Sequence, residues 1–363
     1  MLRIGSYNCS CANFSLIGFS PKIWYDKKYF TGGWQTADRK PAAAEADAGR
    51  GKGLSVLQKA MDKEEHGMPD RFSKILEILL KDRTSGRHII WATDDYQELG
   101  DGYRALQEMK LELIRKESGD VIQPRSVKDQ QNQLNRTKEK AEVFTPPWVC
   151  NAQNNMVDRA WFGREGVFNR ESREGWTTNR NKIPFDDRGE KTWQNYVDSP
   201  RMEMACGEAP YLVSRYDAVS GAWIPVADRI GLLDRKLRVV CENAENESEW
   251  YRWVLRAYQS IYGFEYQGDS LFLARENLLY TFMDYLDCQF GRRASFEELR
   301  EIAVIISWNL WQMDGLTFAL PQQDGETGEP RYCVIKDWQA VRWKKKGILE
   351  YRSLIRNEGA DNG

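Results

Sequence analysis

Histidine is scarce in this sequence of 363 residues, and cysteine is dispersed. The chain has two His and seven Cys, and no two cysteines stand in a CxxC pair. Structural zinc sites are built mainly from Cys and His at close spacing, so we expect no metal centre of that kind. An odd, scattered set of cysteines is typical of reduced thiols and predicts a cytoplasmic protein.

The sequence also lacks a charge bias and a long apolar run. Its 52 basic and 54 acidic residues leave a net charge of -2, so any contact with nucleic acid must come from local basic patches. No apolar run approaches the ~20 residues that span a bilayer. The N-terminus has no apolar segment typical of a secretory signal. We therefore expect no membrane partner.

Apolar and aromatic side chains, in contrast, are plentiful. Hydrophobic residues make up 41% of the chain and aromatic residues 12%, which is enough for one large domain or two ordinary ones. We place a domain boundary at residue 140. Residues 1–140 are an N-terminal region of α/β or α+β character and unknown role, and residues 141–363 contain the motifs described below.

The N-terminal region contains one loose catalytic pattern. Phe72–Leu80 has the apolar spacing of an amphipathic helix, and His88–Thr93 predicts a buried strand. Asp95 follows that strand, and Glu108 and Lys110 come later. This order is typical of PD-(D/E)xK nucleases, in which carboxylates hold Mg²⁺ and a lysine orients water. A restriction nuclease is one interpretation, and a solvated turn before a charged segment is the other.

Three basic stretches are candidates for contact with a phosphate backbone. They are the polar run 118–140, residues 229–238 (RIGLLDRKLR) and residues 342–346 (RWKKK). Lys and Arg neutralise phosphates, and a Trp can stack on a base. A solvated charged surface is the alternative for the first and third stretches. The second is a candidate DNA- or partner-facing element. The basic residues of the first stretch are Arg125, Lys128, Arg136, Lys138 and Lys140.

A small-residue turn follows a short predicted strand near the middle of the chain. The strand ends in Glu203, and the turn Ala205–Ala209 reads ACGEA. Glycine permits unusual backbone angles and leaves room for a cofactor, although an ordinary tight turn has the same composition. Three strong helical patterns follow, at 246–260, 269–285 and 296–309, with strands between them. This alternation predicts an α/β fold with a doubly wound, mostly parallel sheet.

Acidic residues stand at the ends of three predicted strands in this half of the chain. They are Glu203, Glu265 and Asp314. The carboxyl ends of parallel strands meet at one edge of a sheet, where open α/β folds bind their ligands. A carboxylate there can accept hydrogen bonds from a ribose diol or an adenine amino group, and it attracts a cation. The pattern predicts a ligand site at this edge.

Four segments in this order resemble the amino-group DNA methyltransferases, especially the adenine-N6 enzymes and the modification subunits of restriction systems. They read FTPPWV, MEMACGEAP, YGFEYQGDSLFLARENLL and NLWQMDGL, and the resemblance covers roughly residues 141–340. It implies a class I S-adenosyl-L-methionine-dependent methyltransferase fold, with S-adenosyl-L-methionine as the cofactor. It also implies double-stranded DNA and a restriction or specificity subunit as partners, in the cytoplasm of a bacterial or phage-infected bacterial cell.

The resemblance implies a role for each residue that matches a motif. The FTP motif lies over the methionine end of the cofactor, and motif I forms the turn after the first strand. The acid of motif II binds the ribose, and the acid of motif III contacts the adenine. In that order, the implied cofactor-binding residues are Phe144, Thr145 and Pro146; Glu203, Ala205, Cys206 and Gly207; Glu265; and Asp314.

The catalytic (N/D/S)PP(Y/F) motif of that family is absent from its usual place. In the family it accepts hydrogen bonds from the target amino group and stacks on a flipped base. The best-placed candidates are Asp337 as the acceptor and Trp338 as the stacking residue, at the end of a predicted strand. A structural edge strand with its acid in a turn is the alternative.

Two other departures from the family pattern concern the motif I region. Ala209 replaces the last glycine of motif I. An insertion is expected at about 211–241, because the chain between Gly207 and Glu265 is longer than one helix needs. A second is expected at about 160–200, where the chain is polar and rich in Trp and Arg.

Three functions remain open on the sequence. The first is an adenine-N6 DNA methyltransferase. The second is a non-catalytic subunit that keeps the cofactor fold for binding DNA or a partner. The third is the restriction nuclease with its metal site in the N-terminal region.

Overall fold

The structure is a computed structural model that describes residues 15–16, 69–116, 119–124, 145–186, 189–322, 328–338 and 347–357. Three of the sequence-based candidates lie outside these ranges: Phe144, the basic residues at 125–140, and residues 342–346.

Helices alternate with short strands through the described part of the chain. The helices are α1 (Pro69–Leu80), α2 (Leu111–Ile114), α3 (Pro147–Phe162), α4 (Trp193–Asp198), α5 (Leu232–Asn243), α6 (Glu247–Gln259), α7 (Gly268–Phe290), α8 (Phe296–Asn309) and α9 (Tyr351–Asn357). The strands are β1 (Ser15–Leu16), β2 (Arg115–Lys116), β3 (Gly119–Asp120), β4 (Asn169–Ser172), β5 (Gly175–Thr178), β6 (Arg201–Met204), β7 (Ile261–Glu265), β8 (Leu310–Gln312), β9 (Val334–Lys336) and β10 (Ile348–Glu350).

A small parallel sheet lies at the centre of the fold. Its strand order is β1-β6-β7-β8, and each neighbouring pair runs parallel. Helices α5 and α6 connect β6 to β7, and α7 and α8 connect β7 to β8. The prediction of an α/β protein with a parallel sheet is confirmed at this level.

The helix boundaries follow from local sequence. Asn246 accepts a hydrogen bond from Glu249 N at the start of α6, and Ser295 forms a capping box with Glu298 at the start of α8. Pro147 stands in the first turn of α3, where its missing N–H costs nothing. These signals depend on residues within one turn of each other, which is why the sequence predicts them well.

Apolar residues cover both faces of the sheet. These residues form two hydrophobic clusters. The larger one contains residues of both the N-terminal region and the motif-bearing half, since Leu79 of α1 and Leu271 of α7 belong to it. Arg275 is fully buried and donates to Leu79 O and Leu310 O, which ties α1 to β8. Burial lowers the pKa of Arg275 to about 9. Residues 69–124 therefore share a hydrophobic core with the motif-bearing half.

The predicted strand at His88–Thr93 is buried at its centre but forms isolated bridges only. Lys81 pairs with His88, and Ile90 pairs with Glu108. The Gln312 side chain takes the place of a neighbouring strand, because its Oε1 accepts from Ile90 N at 2.9 Å and its Nε2 donates to Ile90 O at 2.8 Å. The side chain of Gln312 thus forms the hydrogen bonds that the backbone N–H and C=O of Ile90 would otherwise make to a neighbouring strand.

In the residues that the structure describes, no helix combines the length and the apolar character that crossing a membrane requires. The five described cysteines, Cys150, Cys206, Cys241, Cys288 and Cys333, are free thiols.

Candidate functional site

The turn after β6 has an unusual backbone. Ala205, Gly207 and Ala209 have φ angles of 49°, 54° and 64°. Left-handed angles at non-glycine residues cost about 1 kcal/mol or more each, and they persist where the surrounding structure requires them. A Cβ built on Gly207 would meet no atom within 4 Å. The turn therefore has open space beside its glycine.

Glu265 connects this turn to the end of β7. Its Oε2 accepts from Gly207 N at 2.8 Å, and its Oε1 accepts from Tyr266 N at 2.9 Å and Gln267 N at 3.1 Å. A carboxylate has about four acceptor positions. Glu265 thus holds the turn and the start of α7 with most of its acceptor capacity, at the position that the sequence predicted for a ribose ligand.

Glu203 lies in the interior. The residue is 6% exposed, and its carboxylate accepts from Tyr211 N at 3.4 Å and Leu212 N at 3.1 Å. Burial raises the pKa of Glu203 well above its ordinary value, against the effect of these two hydrogen bonds. The structure therefore gives Glu203 the role of fixing residues 211–212 against β6.

The end of the FTP segment lies next to this turn. The side chains of Thr145 and Cys150 lie next to the Tyr211 hydroxyl, and Cys150 interacts electrostatically with Glu203. Burial, followed by the charge of Glu203, raises the pKa of the Cys150 thiol. Thr145, at the start of α3, thus lies next to Tyr211, two residues after the turn 205–209.

Asp314 lies beside Glu265 across the sheet. Met313 N donates to Glu265 O at 3.0 Å, and Asp314 Oδ1 accepts from Leu316 N at 2.8 Å and Thr317 N at 3.3 Å. Asp314 Oδ2 accepts no hydrogen bond from the described residues. This acid therefore keeps one oxygen for a ligand.

Two large side chains near these acids are exposed. Tyr266, which follows Glu265, is 40% exposed, and Leu316, two residues after Asp314, is 91% exposed. Exposed apolar groups beside a few fixed polar atoms are common at ligand sites. Their positions were not singled out from the sequence, because exposure is a property of the folded chain.

The N-terminal region supports this edge of the sheet. Gln312 Nε2 donates to Tyr266 O at 2.8 Å as well as to Ile90 O, and Gly268 N donates to Trp91 O at 3.2 Å. A Cβ on Gly268 would lie 2.1 Å from Ile90 O, so only glycine permits this approach. Residues 90–91 thereby fix the loop that follows β7.

The candidate nuclease residues have other partners. Glu108 Oε2 accepts from His88 N at 3.1 Å, and Glu108 pairs with Arg87 at 3.8 Å. Asp95 and Lys110 are exposed. Within the described ranges, no group of three or more His, Cys, Asp or Glu residues is placed to hold a metal ion. Glu108 instead stabilises the turn that precedes residues 88–91.

Asp337 and Trp338 are not brought to the acids. Trp338 Nε1 donates to Asn309 Oδ1 at 2.7 Å, and Asn309 Nδ2 donates to Ile261 O at 2.9 Å. Asn309 and Ile261 stand at the amino ends of β8 and β7, whereas Glu265 ends β7, about 13 Å further along the strand. The two candidate catalytic residues and the candidate cofactor residues thus lie at opposite edges of the sheet.

The pairing of β9 explains this correction. The sequence predicted a strand before Asp337, and β9 is present, but it pairs antiparallel with β10 in a separate two-stranded sheet. Asp337 N donates to Gly347 O at 2.6 Å and closes that hairpin. Asp337 therefore follows a strand that does not belong to the parallel sheet, and its position in sequence does not bring it to the carboxyl edge.

The basic stretch at 229–238 does not face a partner, so that prediction is wrong. Arg229, Arg235 and Lys236 are at most 7% exposed. Arg229 pairs with Asp284, and Arg235 pairs with Asp158. The local sequence pattern indicated an exposed basic face because the acidic partners of these cations are distant in sequence.

Strand β1 was missed in the sequence. Ser15 and Leu16 pair parallel with Arg201 and Met202 of β6. These two residues lie beside the first half of β6 and add a fourth parallel strand to the sheet. Two residues are too few to show a strand pattern, so no sequence feature indicated it.

Compared with known proteins, the chain matches no family model, no curated protein and no solved structure.

Proposed function

We propose that the chain binds S-adenosyl-L-methionine at the carboxyl edge of its parallel sheet and acts as an adenine-N6 DNA methyltransferase. The observation that carries the proposal is the convergence of four distant segments at one edge. Thr145 lies next to Tyr211, just after the turn 205–209. Glu265 accepts from Gly207 N in that turn, and Asp314 follows Met313, whose N–H donates to Glu265 O. The proposed setting is the cytoplasm of a bacterial or phage-infected bacterial cell.

The proposal includes a doubly wound class I methyltransferase fold. Its support is the order β8-β7-β6-β1, in which every pair is parallel and the connections from β6 to β8 are helical. Glu203, Glu265 and Gln312 lie at the carboxyl ends of β6, β7 and β8, in that order. Asp314 follows two residues after Gln312. Ligands of open α/β sheets bind outside the carboxyl ends of the strands, and the acids stand at those ends.

The residues at this edge fit the chemical groups of the cofactor. Asp314 Oδ2 is available to accept from an adenine amino group, and Tyr266 and Leu316 present apolar surface for a planar base. The open space beside Gly207 admits the ligand close to the backbone. Glu265 would bind the ribose hydroxyls after releasing the Gly207 N–H.

Calorimetric titration with S-adenosyl-L-methionine tests the cofactor site. We expect binding to weaken by at least about tenfold in Glu265→Gln, since hydrogen bonds to a charged group contribute about 1.5–3 kcal/mol. Asp314→Asn should weaken it to a smaller degree. Glu297→Gln is the matched control, because Glu297 is an exposed acid on α8 that pairs with Arg300. Absence of binding by the unmodified chain at millimolar cofactor would overturn the proposal.

Transfer of labelled methyl groups to mixed double-stranded DNA tests the activity. The assay is run with the chain alone and with host extract, which supplies a restriction or specificity subunit if one is required. Incorporation at adenine N6 in either condition supports the methyltransferase.

A second candidate is a non-catalytic subunit that binds the cofactor and a DNA-containing complex. One observation favours it: Asp337 and Trp338 lie at the amino ends of the strands, away from the cofactor acids. Cofactor binding without incorporation in both conditions identifies this function.

A further inference from the structure

A groove runs between α3 and the hairpin of β4 and β5. It has a volume of about 640 Å³, within the range of ligand-binding clefts, and its walls are the second half of α3, the loop 163–168 and β4. We call it the α3–β4 groove. Met156 of α3 lines it and is 61% exposed. Exposed methionines are frequent at surfaces that bind peptides, because the side chain is flexible and polarizable.

Amide side chains fix β4 against α3. The side chains of Asn151 and Asn169 exchange two hydrogen bonds, at 2.9 and 2.7 Å, and Asn155 Nδ2 donates to Asn169 Oδ1 at 3.0 Å. Asn151 and Asn169 are at most 3% exposed. Buried polar groups that are bonded in this way hold their elements in one arrangement. The position of β4 is therefore set before any partner binds.

One edge of β4 carries backbone groups that are free to pair. Among the described residues β4 pairs only with β5, and Asn179 N donates to Phe168 O at 2.8 Å just before the strand begins. Hydrogen-bonded pairs alternate along an antiparallel ladder, so Arg170 also faces β5, whereas the backbone groups of Asn169 and Glu171 face away from it. These groups form no hydrogen bond within the described ranges. Such an edge is a template for another extended chain.

Two of the three arginines that line the groove have no acidic partner in the described part of the chain. Arg159 pairs with Glu165 at 2.8 Å. The Arg164 guanidinium lies 5.9 Å from the centroid of the Phe162 ring, and neither it nor Arg170 forms an ion pair there. Both are exposed. The groove therefore offers two cations to a partner.

The acid of β4 lies on the other face of the strand. Glu171 Oε1 accepts from Asn155 Nδ2 at 2.8 Å, so this side chain is turned to α3. Successive side chains of a strand point to opposite faces, which places Arg170 on the face away from Glu171. An added strand would therefore meet a cation on one face and an amide-bonded carboxylate on the other.

A second copy of this chain fits the free edge poorly. Antiparallel pairing of β4 with itself, centred on Arg170, would place that arginine opposite its own copy. Pairing centred on Glu171 would place two acids opposite each other. Like charges directly opposite in a sheet are destabilising, and opposite charges are stabilising. The charges of β4 thus favour a strand that brings an acid to Arg170.

We propose that the α3–β4 groove binds an extended acidic peptide segment of a partner protein, which adds a strand to the free edge of β4. The backbone of the peptide pairs with that of Asn169 and Glu171, and its carboxylates contact Arg170 and Arg164. In such complexes main-chain hydrogen bonds give affinity and side chains give specificity. The inference is independent of the cofactor, because Thr145, Glu265 and Asp314 do not line the groove.

The test is the binding of a short fluorescent peptide of alternating Thr and Glu, measured by anisotropy without cofactor. A matched peptide of alternating Thr and Lys should not bind. With a Glu opposite Arg170, the N–H groups of the Thr residues face β4 and those of the Glu residues face away. Methylation of the Thr backbone nitrogens should therefore abolish binding, and methylation of the Glu nitrogens should not. Equal effects of the two methylations, or equal affinities of the Glu and Lys peptides, would overturn the proposal.

Substitution of the groove arginine tests the charge contact. Arg170→Gln should weaken binding of the Glu peptide by about two- to fivefold, the range of a cross-strand charge pair. Arg173→Gln is the matched control, because Arg173 is exposed in the turn between β4 and β5 and does not line the groove. It should leave the affinity unchanged. No loss in Arg170→Gln, or equal losses in the two variants, would contradict the proposal.

Substitution of Glu171 tests the backbone contact. Glu171→Pro removes an N–H from the free edge but none from the ladder with β5, as prolines on edge strands do. It should weaken binding by about tenfold, the upper end of what one hydrogen bond contributes. Glu171→Ala keeps the N–H and should bind the peptide at least as well as the unmodified chain. A loss in Glu171→Ala that equals the loss in Glu171→Pro would refute strand addition.

Further measurements exclude other occupants of the groove. Thermal unfolding checks that Glu171→Pro is folded, and the methylated peptides with Arg170→Gln decide the outcome if it is not. A dimer of the unmodified chain that dissociates in Glu171→Pro, measured by sedimentation, would overturn the proposal in favour of a second copy. Displacement of the peptide by single-stranded DNA at equal charge would also overturn it, because an oligonucleotide cannot add a strand to β4.

Discussion

The two edges of the parallel sheet use polar side chains in different ways. At the amino edge, Asn309 and Lys236 are almost fully buried, and their nitrogens donate to backbone carbonyls and to Ser260. At the carboxyl edge, Glu265 and Asp314 accept from backbone N–H groups of exposed or half-buried turns. The polar side chains of the amino edge connect elements of the core, whereas those of the carboxyl edge hold turns at the surface.

This difference separates stability from binding. A polar group that is buried and bonded on all sides stabilises the fold, and its removal leaves partners without hydrogen bonds. A polar group in a surface turn contributes less to stability and can interact with a ligand. Substitutions of Asn309 and Lys236 should therefore change the free energy of unfolding, and those of Glu265 and Asp314 should change cofactor affinity.

The largest expected effect is at the amino edge. Asn309→Ala removes donors from the carbonyls of Tyr258 and Ile261 and an acceptor from Trp338 Nε1. Leaving buried groups unpaired should lower the free energy of unfolding by about 3 kcal/mol, measured by urea denaturation. Cofactor affinity of the folded chain should not change. A loss below about 0.5 kcal/mol would contradict the contrast between the edges.

The pH dependence of stability comes next, through Glu203. Because burial raises its folded pKa above its unfolded value, the stability that it contributes is fully present below the unfolded pKa and is lost as pH rises through the folded pKa. Between the unfolded and the folded pKa of Glu203, the free energy of unfolding of the unmodified chain should fall by about 1.4 kcal/mol per pH unit relative to Glu203→Gln. Urea denaturation from pH 4 to pH 8 measures the difference, and a flat difference would refute the assignment.

Two glycines provide a matched pair for the carboxyl edge. Gly207 and Gly163 have φ angles of 54° and 72°, and neither has an atom within 4 Å of a built Cβ. Gly207→Ala and Gly163→Ala should each cost about 1 kcal/mol of stability from backbone strain. Only Gly207→Ala should weaken cofactor binding, by about tenfold or 1.4 kcal/mol, because its methyl group enters the ligand's space. Equal affinities in calorimetry would place the ligand elsewhere.

The smallest expected effect concerns Trp338. Trp338→Phe keeps an aromatic ring but loses the hydrogen bond to Asn309, which should reduce stability by about 1 kcal/mol. Cofactor affinity and the rate of methyl transfer at saturating DNA should be unchanged. A fall in that rate of more than about tenfold in a folded variant would contradict this expectation and support the catalytic role that the sequence analysis gave to Trp338.

Much of the fold was predictable because it depends on local patterns. The helices at 246–260 and 296–309 have capping residues within one turn of their start, and β7 is a short buried run that ends in an acid. In each case the residues that specify the structure are close together or belong to a motif with a known order.

The candidate site was predictable only in part. The acids Glu265 and Asp314 were found from their places at strand ends, but the roles of Gln312 and Gly268 depend on Ile90, which is far away in the sequence. The basic stretch at 229–238 was misread for the same reason. Its cations are buried against Asp158 and Asp284, and no local pattern reveals such partners.

The sequence by itself determined the α/β class, the helices and the order of acids along the chain, because propensity, capping and strand-end position act over a few residues. The tertiary structure alone decided which edge each polar group occupies. Asp337 follows a strand, but β9 pairs with β10 and leaves Trp338 at Asn309. Strand pairing and burial depend on contacts between segments that are far apart in sequence. The local residue pattern around a strand is therefore compatible with either edge of the sheet.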